Sequence, residues 1–284
     1  MRALDLSPIL LLALGALAGA AGGIGAARLC DWLPPRYEVT QVATGAARVR
    51  RNTGVILIVI GVGVWLAHLT AAAPSTSLAR AAFYFATNLG ISLAVVAAAA
   101  IDLEHMILPN ELTFGAAAIA LATSYWRAVG LRGALLGAVV GLALTCLPAL
   151  LYKKLRRRSG AGVGDAKLMA VAGLWFGAPG AIFVVFASSV QSAVFAVAMR
   201  LLGRTIQVPA SVHTELAALR ARAEAGDVEA RGVLDDDPMA AEVGAGELAT
   251  MRLPMGPFLV LACLELLLAR TYIFALLDRL LTSP

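Results

Sequence analysis

The stretch GAGVGDAKLMAVAGLWFG, from Gly160 to Gly177, places one carboxylate, Asp165, between a glycine-rich loop and an apolar segment. Glycines in such a loop permit backbone conformations and close approaches that other residues exclude. Asp165 then falls at a helix N-terminus, where free N–H groups and the helix dipole favour an anion. The pattern predicts a carboxylate fixed at the end of a helix that is itself surrounded by apolar groups.

Composition indicates that these surroundings are lipid. Of the 284 residues, 60% are hydrophobic and 14% are charged, and the mean hydropathy is +0.82. Soluble domains carry about 25% charged residues, so this chain lacks the polar surface that water requires. The net charge of +5 comes from Arg and Lys between apolar runs, as orientation signals do. We predict an all-α, polytopic integral membrane protein in contact with the lipid bilayer, with no nucleic-acid partner.

Eight apolar segments approach the ~20 residues that a helix needs to cross the hydrocarbon core. The sixth is short, and the pair Pro179–Gly180 separates it from the seventh, which predicts a tight turn or a broken helix there. The segments span 7–29, 54–71, 80–101, 110–126, 132–152, 166–178, 181–201 and 255–276.

Basic residues orient this path of about eight transmembrane helices. Arg and Lys concentrate in the loops 30–53 and 153–158 and after 203, which all lie on one side of the path. The positive-inside rule puts these loops in the cytoplasm and both termini outside. On this topology Asp102, at the end of the third segment, and Asp165, at the start of the sixth, share the cytoplasmic face.

Asp102 and Asp165 are therefore a candidate acid–base pair. Ionisable residues at membrane depth are functional candidates by default, although each acid also fits a plain interfacial cap in contact with water. Two carboxylates at short range share one proton, and the helix dipoles favour the anion at Asp165 and disfavour it at Asp102. We expect one member to activate water and the other to protonate a leaving amine.

Three stretches resemble the signatures of the type IV prepilin peptidases, membrane aspartic proteases of the GxGD type. They are DLEHMILPN at 102–110, GVGDAK at 162–167 and RLPMGPFLVLA at 252–262. Their order and spacing also fit, and the similarity covers roughly 80–202 and 252–275. The matching residues are Asp102, Leu108 and Pro109 in the first stretch, Gly162, Gly164, Asp165 and Lys167 in the second, and Pro254 and Gly256 in the third.

The resemblance implies the GxGD aspartic protease fold and an endopeptidase of the inner (cytoplasmic) membrane. Such an enzyme removes the short basic leader from type IV prepilins or pseudopilins at the cytoplasmic face, for pilus assembly or type II secretion. Asp102 and Asp165 would be the catalytic dyad, and the other matching residues would shape the active-site loops. Lys167 would favour the anionic state of Asp165 or bind substrate, or it is an interfacial lysine that reaches towards water.

Cysteine usage departs from this family. Many members carry two CxxC pairs in the loop after the first helix, and they N-methylate the new pilin terminus with S-adenosylmethionine. Here that loop has Cys30 alone, and Cys146 and Cys263 lie far away in sequence. We therefore expect no zinc or other metal, no cofactor for the peptidase and no efficient N-methylation. S-adenosylmethionine would be a cofactor only if methylation is retained.

An acidic insert interrupts the membrane pattern near 205–250, with nine acidic residues against three arginines. Within it, SVHTELAALRARAEA at 211–225 predicts one helix with Leu216, Leu219 and Ala223 on a single face. The insert either attracts basic leaders electrostatically or is simply solvated. The expected division is a first transmembrane helix at 1–29, a short cytoplasmic loop without the zinc module at 30–53, the peptidase membrane core at 54–202, the acidic cytoplasmic insert at 203–252, and the last transmembrane helix with the C-terminus at 253–284.

Two other functions stay open at this point. A proton-coupled transporter requires acids at mid-membrane, and only Glu265 fits that position. An inactive relative would bind pilin precursors without cutting them, although both acids are present. His105, three residues after Asp102, either tunes that acid or, as we expect, is a solvated loop histidine.

Overall fold

The computed structural model describes residues 7–37, 39, 42–72, 77–156, 162–204, 210–236 and 254–282. The predicted all-α class is confirmed in this part of the chain. Its helices are α1 (Pro8–Trp32), α2 (Gly45–Ala72), α3 (Leu78–His105), α4 (Asn110–Thr123), α5 (Gly130–Arg156), α6 (Val163–Leu201), α7 (Ala210–Glu224), α8 (Val228–Asp236) and α9 (Gly256–Thr282).

Six helices among the described residues are long and apolar enough to cross a membrane, against the eight segments predicted. They are α1, α2, α3, α5, α6 and α9. The fourth predicted segment is α4, which has only 14 residues, and the sixth and seventh both lie within the 39 residues of α6. The second segment is also longer than predicted, because α2 begins at Gly45 and its arginine-rich first turns are helical.

Helix α6 is a hairpin of two halves, because its backbone breaks at Gly177 (φ 77°, ψ −177°). After the break, Gly180 lies against Leu266 of α9, whereas the ring of Phe195 stacks 5.6 Å from that of Phe258. The second half therefore runs back towards the start of α9. The broken helix predicted at Pro179 is confirmed, and the two predicted segments are two passes.

Helix α4 runs the opposite way to α3 along most of its length. It begins at Asn110, after a link of four residues that follows the end of α3. Its far end lies near the early part of α3, where the Tyr84 hydroxyl donates to the carbonyl oxygen of Trp126 at 2.9 Å. Fourteen residues rise about 21 Å, which is shorter than the ~30 Å hydrocarbon core. The described helices thus run between the two ends of the bundle eight times, and α4 and the first half of α6 are shorter than the ~30 Å hydrocarbon core.

Glycines bring α1 and α2 into backbone contact. Gly15, Gly19 and Gly23 recur every fourth residue on α1, and a Cβ added to Gly63 of α2 would overlap the carbonyl oxygen of Gly15. Lipid tails are as apolar as leucine side chains, so the hydrophobic effect does not drive helices together in a membrane. Membrane helices associate instead through close packing of small residues such as these glycines. We call α1 and α2, with the segment that joins them (residues 8–72), the N-terminal hairpin.

The same device joins α5 to the first half of α6. A Cβ on Gly137 would overlap the carbonyl oxygen of Gly173, and one on Gly173 would overlap that of Gly137. One turn further along α5, Gly141 lies equally close to the Met169 carbonyl. Because the two helices are antiparallel, this contact fixes the start of α6, which carries Asp165.

Arg127 closes the break in α6. Pro179 has no N–H to give to the carbonyl of Trp175, four residues earlier. The Arg127 guanidinium donates to that oxygen at 2.5 Å and to the carbonyl oxygen of Leu174 at 3.1 Å, and it stacks 4.1 Å over the Trp175 ring. Burial lowers the pKa of Arg127 to about 10, so the side chain stays charged at neutral pH.

The acidic insert forms the predicted helix, α7, followed by the short α8. Leu216 and Ala223 are buried, as the spacing predicted, and α7 contacts α3. Asp227 caps α8 by accepting from the backbone N–H of Ala230 at 3.1 Å, and it pairs with Arg222. These contacts lower the pKa of Asp227. The insert's Asp237, Glu242 and Glu247 lie outside the described residues.

The glycine contact between α1 and α2 predicts a difference between two neighbouring substitutions. Gly63→Ala should lower the unfolding temperature of the detergent-purified protein, because overpacking costs about 1–3 kcal/mol. Gly61→Ala, on the same helix with open space around it, should leave that temperature unchanged or raise it, since Ala is the better helix former. Equal melting temperatures for the two variants would contradict the proposed packing.

Candidate active site

Asp102 lies in the last turn of α3 and is only 6% exposed. The helix ends at Met106, whose backbone N–H donates to the Asp102 carbonyl at 2.8 Å. Met106 has left-handed backbone angles (φ 53°, ψ 34°), which are uncommon for a residue with a side chain. The chain turns at Met106 and passes through Leu108 and Pro109 into α4. The first motif therefore begins in one helix, at Asp102, and ends in the next, at Asn110.

Asp165 is the third residue of α6, after the N-cap Gly162. Its carboxylate turns back towards the cap, with Oδ2 only 3.7 Å from the position of a Cβ on Gly162. The first turn of a helix has backbone N–H groups without intrahelical partners. The predicted location of this acid at a helix N-terminus is confirmed.

The structure brings the two acid-bearing motifs together. A Cβ on Gly164 would lie 3.0 Å from the side chain of Leu108. The second glycine of the GxGD motif therefore packs directly against the first motif. Leu108 follows Asp102 by six residues and Gly164 immediately precedes Asp165, so this contact places both acids at one junction. Both acids therefore occupy one end of the helix bundle.

Gly256 brings the third motif to the same place. A Cβ on Gly256 would overlap Oδ2 of Asp102 and lie 2.9 Å from its Cγ. Only glycine fits here, because the first turn of α9 presses against the carboxyl group itself. Pro254, two residues earlier, is half-buried at this junction. Oδ2 of Asp102 has no hydrogen-bond partner among the described residues.

Lys167 contacts the first motif. Its ammonium donates to Oδ1 of Asn110 at 2.7 Å and lies 5.6 Å from the centre of the Phe114 ring. Asn110 is a site residue that the sequence reasoning did not single out. Its signal was its place immediately after the Leu108–Pro109 turn, where a helix begins.

A group of charged side chains behind Asp102 was also missed. Arg51 is 6% exposed and donates to Glu104 at 2.7 Å; its other terminal nitrogen contacts Asp31. Arg48 pairs with the same Asp31 at 2.6 Å. Sequence reasoning treated these arginines only as orientation signals, because nothing local distinguishes a buried arginine from an exposed one.

The expectation that His105 is a solvated loop histidine is wrong. His105 belongs to the last turn of α3 and is only 5% exposed. Neither ring nitrogen has a hydrogen-bond partner among the described residues. The nearest charge is the Glu104 carboxylate, 3.7 Å from Nε2.

Glu265 has a partner across the membrane core. Gln191, in the second half of α6, donates to its carboxylate at 2.8 Å. The acid that a transporter would use at mid-membrane is thus hydrogen-bonded between two packed helices, whereas Asp102 and Asp165 meet at one end. This distribution favours a hydrolytic site over a proton path through the bilayer.

The part of the chain that the structure describes contains no suitable group of metal ligands. No group of three or more His, Cys, Asp or Glu side chains there can hold an ion. Cys30 is buried, with its thiol directed at the Ala97 carbonyl oxygen at 3.7 Å, and Cys263 is buried in α9. The family's zinc module therefore has no counterpart among these residues.

A small apolar cavity lies between α3, the first half of α6 and α9. Its lining includes Val95, Leu168, Trp175 and Cys263. Leu168 is one helical turn from Asp165, but the cavity has room for about one water molecule only. It is therefore a gap in the packing of the three helices and not a channel that leads to the acids.

Comparison with known proteins identifies the matching segment. Residues 89–197, which include both acids, match the model of the type IV leader peptidase family. The chain is 37% identical over 108 residues to the prepilin leader peptidase/N-methyltransferase of Xanthomonas campestris pv. campestris, an alignment that covers 37% of each protein. It is 39% identical over 90 residues to the protein of that name from Burkholderia pseudomallei, covering 31% of this chain and 29% of the relative.

A third relative of the same name, from Neisseria gonorrhoeae, is 35% identical over 101 residues, which is 35% of each protein. The chain thus spans little more than a third of the length of the curated relatives it matches. No solved structure matches it significantly. The resemblance predicted from the motifs is confirmed for the acid-bearing segment.

Proposed function

We propose that this chain is a membrane-embedded aspartic endopeptidase that cleaves the leader from type IV prepilins or pseudopilins. The observation that carries this proposal is the contact between Gly164 and Leu108, which places Asp102 and Asp165 at one end of the bundle, within the segment that matches the leader peptidase family. Relatives of this segment carry the name prepilin leader peptidase/N-methyltransferase. An inactive pilin-binding relative is the alternative that the cleavage experiment below decides.

In the proposed reaction the two acids have different tasks. Asp165, at the N-terminal end of α6, takes a proton from water, and the resulting hydroxide attacks the carbonyl carbon of the scissile bond. Asp102, enclosed by the last turn of α3 and by Gly256, gives a proton to the departing amine as the C–N bond breaks. The helix dipoles support this assignment, since they favour the anion at the start of α6 and not at the end of α3.

Substrate fit follows from the shape of the site. Gly162 leaves room for an extended backbone beside Asp165, because a Cβ there would meet no atom closer than 3.7 Å, whereas Gly164 and Gly256 are closely packed against Leu108 and Asp102. The apolar segment of the pilin would remain in the surrounding bilayer after cleavage. Lys167 is held by Asn110, so we assign it to the shape of the site in preference to proton transfer.

The reaction takes place, in this proposal, at the cytoplasmic face of the inner membrane. Arg48 and Arg51 lie at the same end of the bundle as the acids, and the positive-inside rule assigns that end to the cytoplasm. The acidic helices α7 and α8 follow this face in the chain. They would attract a basic leader electrostatically, or they are solvated without a part in catalysis.

Replacing either acid tests the proposal. Asp102→Asn and Asp165→Asn should each lower the cleavage rate of a prepilin by about 10²-fold or more, since acid–base groups contribute 10²–10⁴. The measurement is cleavage by the detergent-purified enzyme, followed on gels. Asp227→Asn removes the same charge from the cap of α8 and should cleave normally. Cleavage at the wild-type rate by either dyad variant contradicts the mechanism, and no cleavage by the wild type supports the inactive relative.

Gly256→Ala tests the contact between α9 and the catalytic acid. The added methyl group overlaps the Asp102 carboxylate, so we expect kcat to fall while the protein still inserts and folds. Gly115→Ala, on α4 with open space around it, is the control and should keep its activity. Normal turnover in Gly256→Ala would mean that α9 does not fix the acid.

We further propose that cleavage occurs without zinc and without efficient N-methylation. The curated relatives are named N-methyltransferases as well, but this chain has Cys30 alone where many family members have two CxxC pairs. The apolar cavity beside Leu168 has room for about one water molecule and an almost wholly apolar lining, so it does not suit S-adenosylmethionine.

Mass spectrometry of a mature pilin tests this statement. After incubation with enzyme and S-adenosylmethionine, the N-terminal peptide should keep its unmethylated mass, and chelators should leave the cleavage rate unchanged. An enzyme-dependent gain of one methyl group would contradict the expectation and would show that other residues form a methyl-donor site.

A further inference from the structure

The N-terminal hairpin lies outside the segment that matches the leader peptidase family, which begins at residue 89. It nevertheless contacts the first motif, DLEHMILPN, at both of its ends. One contact is made by Arg51 near the start of α2, and the other by Tyr37, at the end of the short helical turn after α1. Neither residue belongs to the motifs that suggested the function.

Arg51 holds the last turn of α3. Its guanidinium is buried between Asp31 and Glu104, and Nη1 donates to the Glu104 carboxylate at 2.7 Å. Glu104 is two residues after Asp102, in the same helical turn. A buried arginine between two carboxylates makes charge-assisted hydrogen bonds of fixed direction. The backbone that carries Asp102 is therefore tied to the N-terminal hairpin.

Tyr37 holds the start of α4. Its hydroxyl donates to the Glu111 carboxylate at 2.7 Å and accepts from the backbone N–H of Asn110, also at 2.7 Å. The side chain of Asn110 in turn accepts from Lys167, two residues after Asp165. A continuous set of hydrogen bonds thus connects the hairpin, the first motif and the GxGD helix.

We propose that Arg51 and Tyr37 are positioning residues that set the distance and orientation between Asp102 and Asp165. This inference rests on the proposed peptidase function, because the property it explains is the rate of that reaction. The two acids come from different helices, and the residues of the dyad alone do not lock the turns that carry them. The hairpin supplies two independent attachments, one to the end of α3 and one to the start of α4.

The expected effect of these residues is on kcat. A misplacement of about 1 Å in a catalytic group costs roughly 10²-fold in rate, whereas the contacts of Arg51 and Tyr37 are with residues of α1, α3 and α4. Loss of positioning should therefore lower kcat and leave KM unchanged. A merely structural role would reduce the amount of folded enzyme without changing the kcat of the folded fraction.

The test uses the full-length enzyme in detergent and a prepilin substrate. Arg51→Gln should lower kcat about 10-fold or more at unchanged KM, and Arg51→Lys should restore part of the loss because it keeps the charge. Arg48→Gln is the matched control, because Arg48 binds the same Asp31 without contacting α3 and its side chain is 55% exposed. It should keep the wild-type kcat.

Double substitution and a milder variant complete the test. Arg51→Gln combined with Glu104→Gln should lose less than the product of the two single losses, since the variants remove one interaction. Tyr37→Phe should lower kcat without unfolding, because the hydroxyl lies at the surface. If Arg51→Gln does not fold, Glu104→Gln and Tyr37→Phe decide in its place.

The outcomes separate this inference from the proposed function. A wild-type enzyme that cuts no prepilin overturns both. A wild-type enzyme that cuts, with wild-type kcat in folded Arg51→Gln and Tyr37→Phe, overturns the positioning role alone. Equal losses in Arg51→Gln and Arg48→Gln also overturn it, because the loss would then follow Asp31 and not the end of α3.

Discussion

The arrangement of this protein depends on how closely its helix backbones approach one another. In lipid, helices gain little by burying apolar side chains against each other, and close backbone contact has to supply the association. Gly63 against α1 and Gly137 against Gly173 leave no room for a Cβ. The same constraint operates at Gly256, where the backbone of α9 meets the Asp102 carboxylate. One packing rule therefore determines both the bundle and the surroundings of the acid.

Where a membrane helix is broken, backbone carbonyl groups lose their helical hydrogen-bond partners, and lipid offers none in their place. In this protein, side chains from elsewhere in the chain donate to those carbonyls. Arg127 binds the carbonyls that the break in α6 releases. The backbone of α9 is likewise non-helical at Ala269. Next to it, the indole N–H of Trp65 in α2 donates to the carbonyl oxygen of Leu268 at 2.8 Å. Gln191 pairs with Glu265. These contacts permit short, broken helices within a bilayer, and the reversal of α6 brings its second half back along α9.

The end of the bundle that holds Asp102 and Asp165 combines close packing with bonds between polar side chains. Glycines at 164 and 256 bring three helix ends together, and Arg51 and Tyr37 of the N-terminal hairpin bind the end of α3 and the start of α4. Arg51 is buried there because Asp31 and Glu104 compensate its charge, and removing one partner would leave another charge without compensation. The family-matching segment is thus completed by residues that precede it in the chain.

Local chemistry in the sequence was sufficient for much of this description. Composition determined an all-α membrane protein, the glycines and Asp165 determined a carboxylate at a helix start, and Pro179–Gly180 determined a break. Only the tertiary structure decided that His105 is buried, that Lys167 binds Asn110, and that Arg51 reaches Glu104. The reason is physical: hydropathy, dipoles and backbone restrictions act within a few residues, whereas burial and ion pairing join residues far apart in the chain.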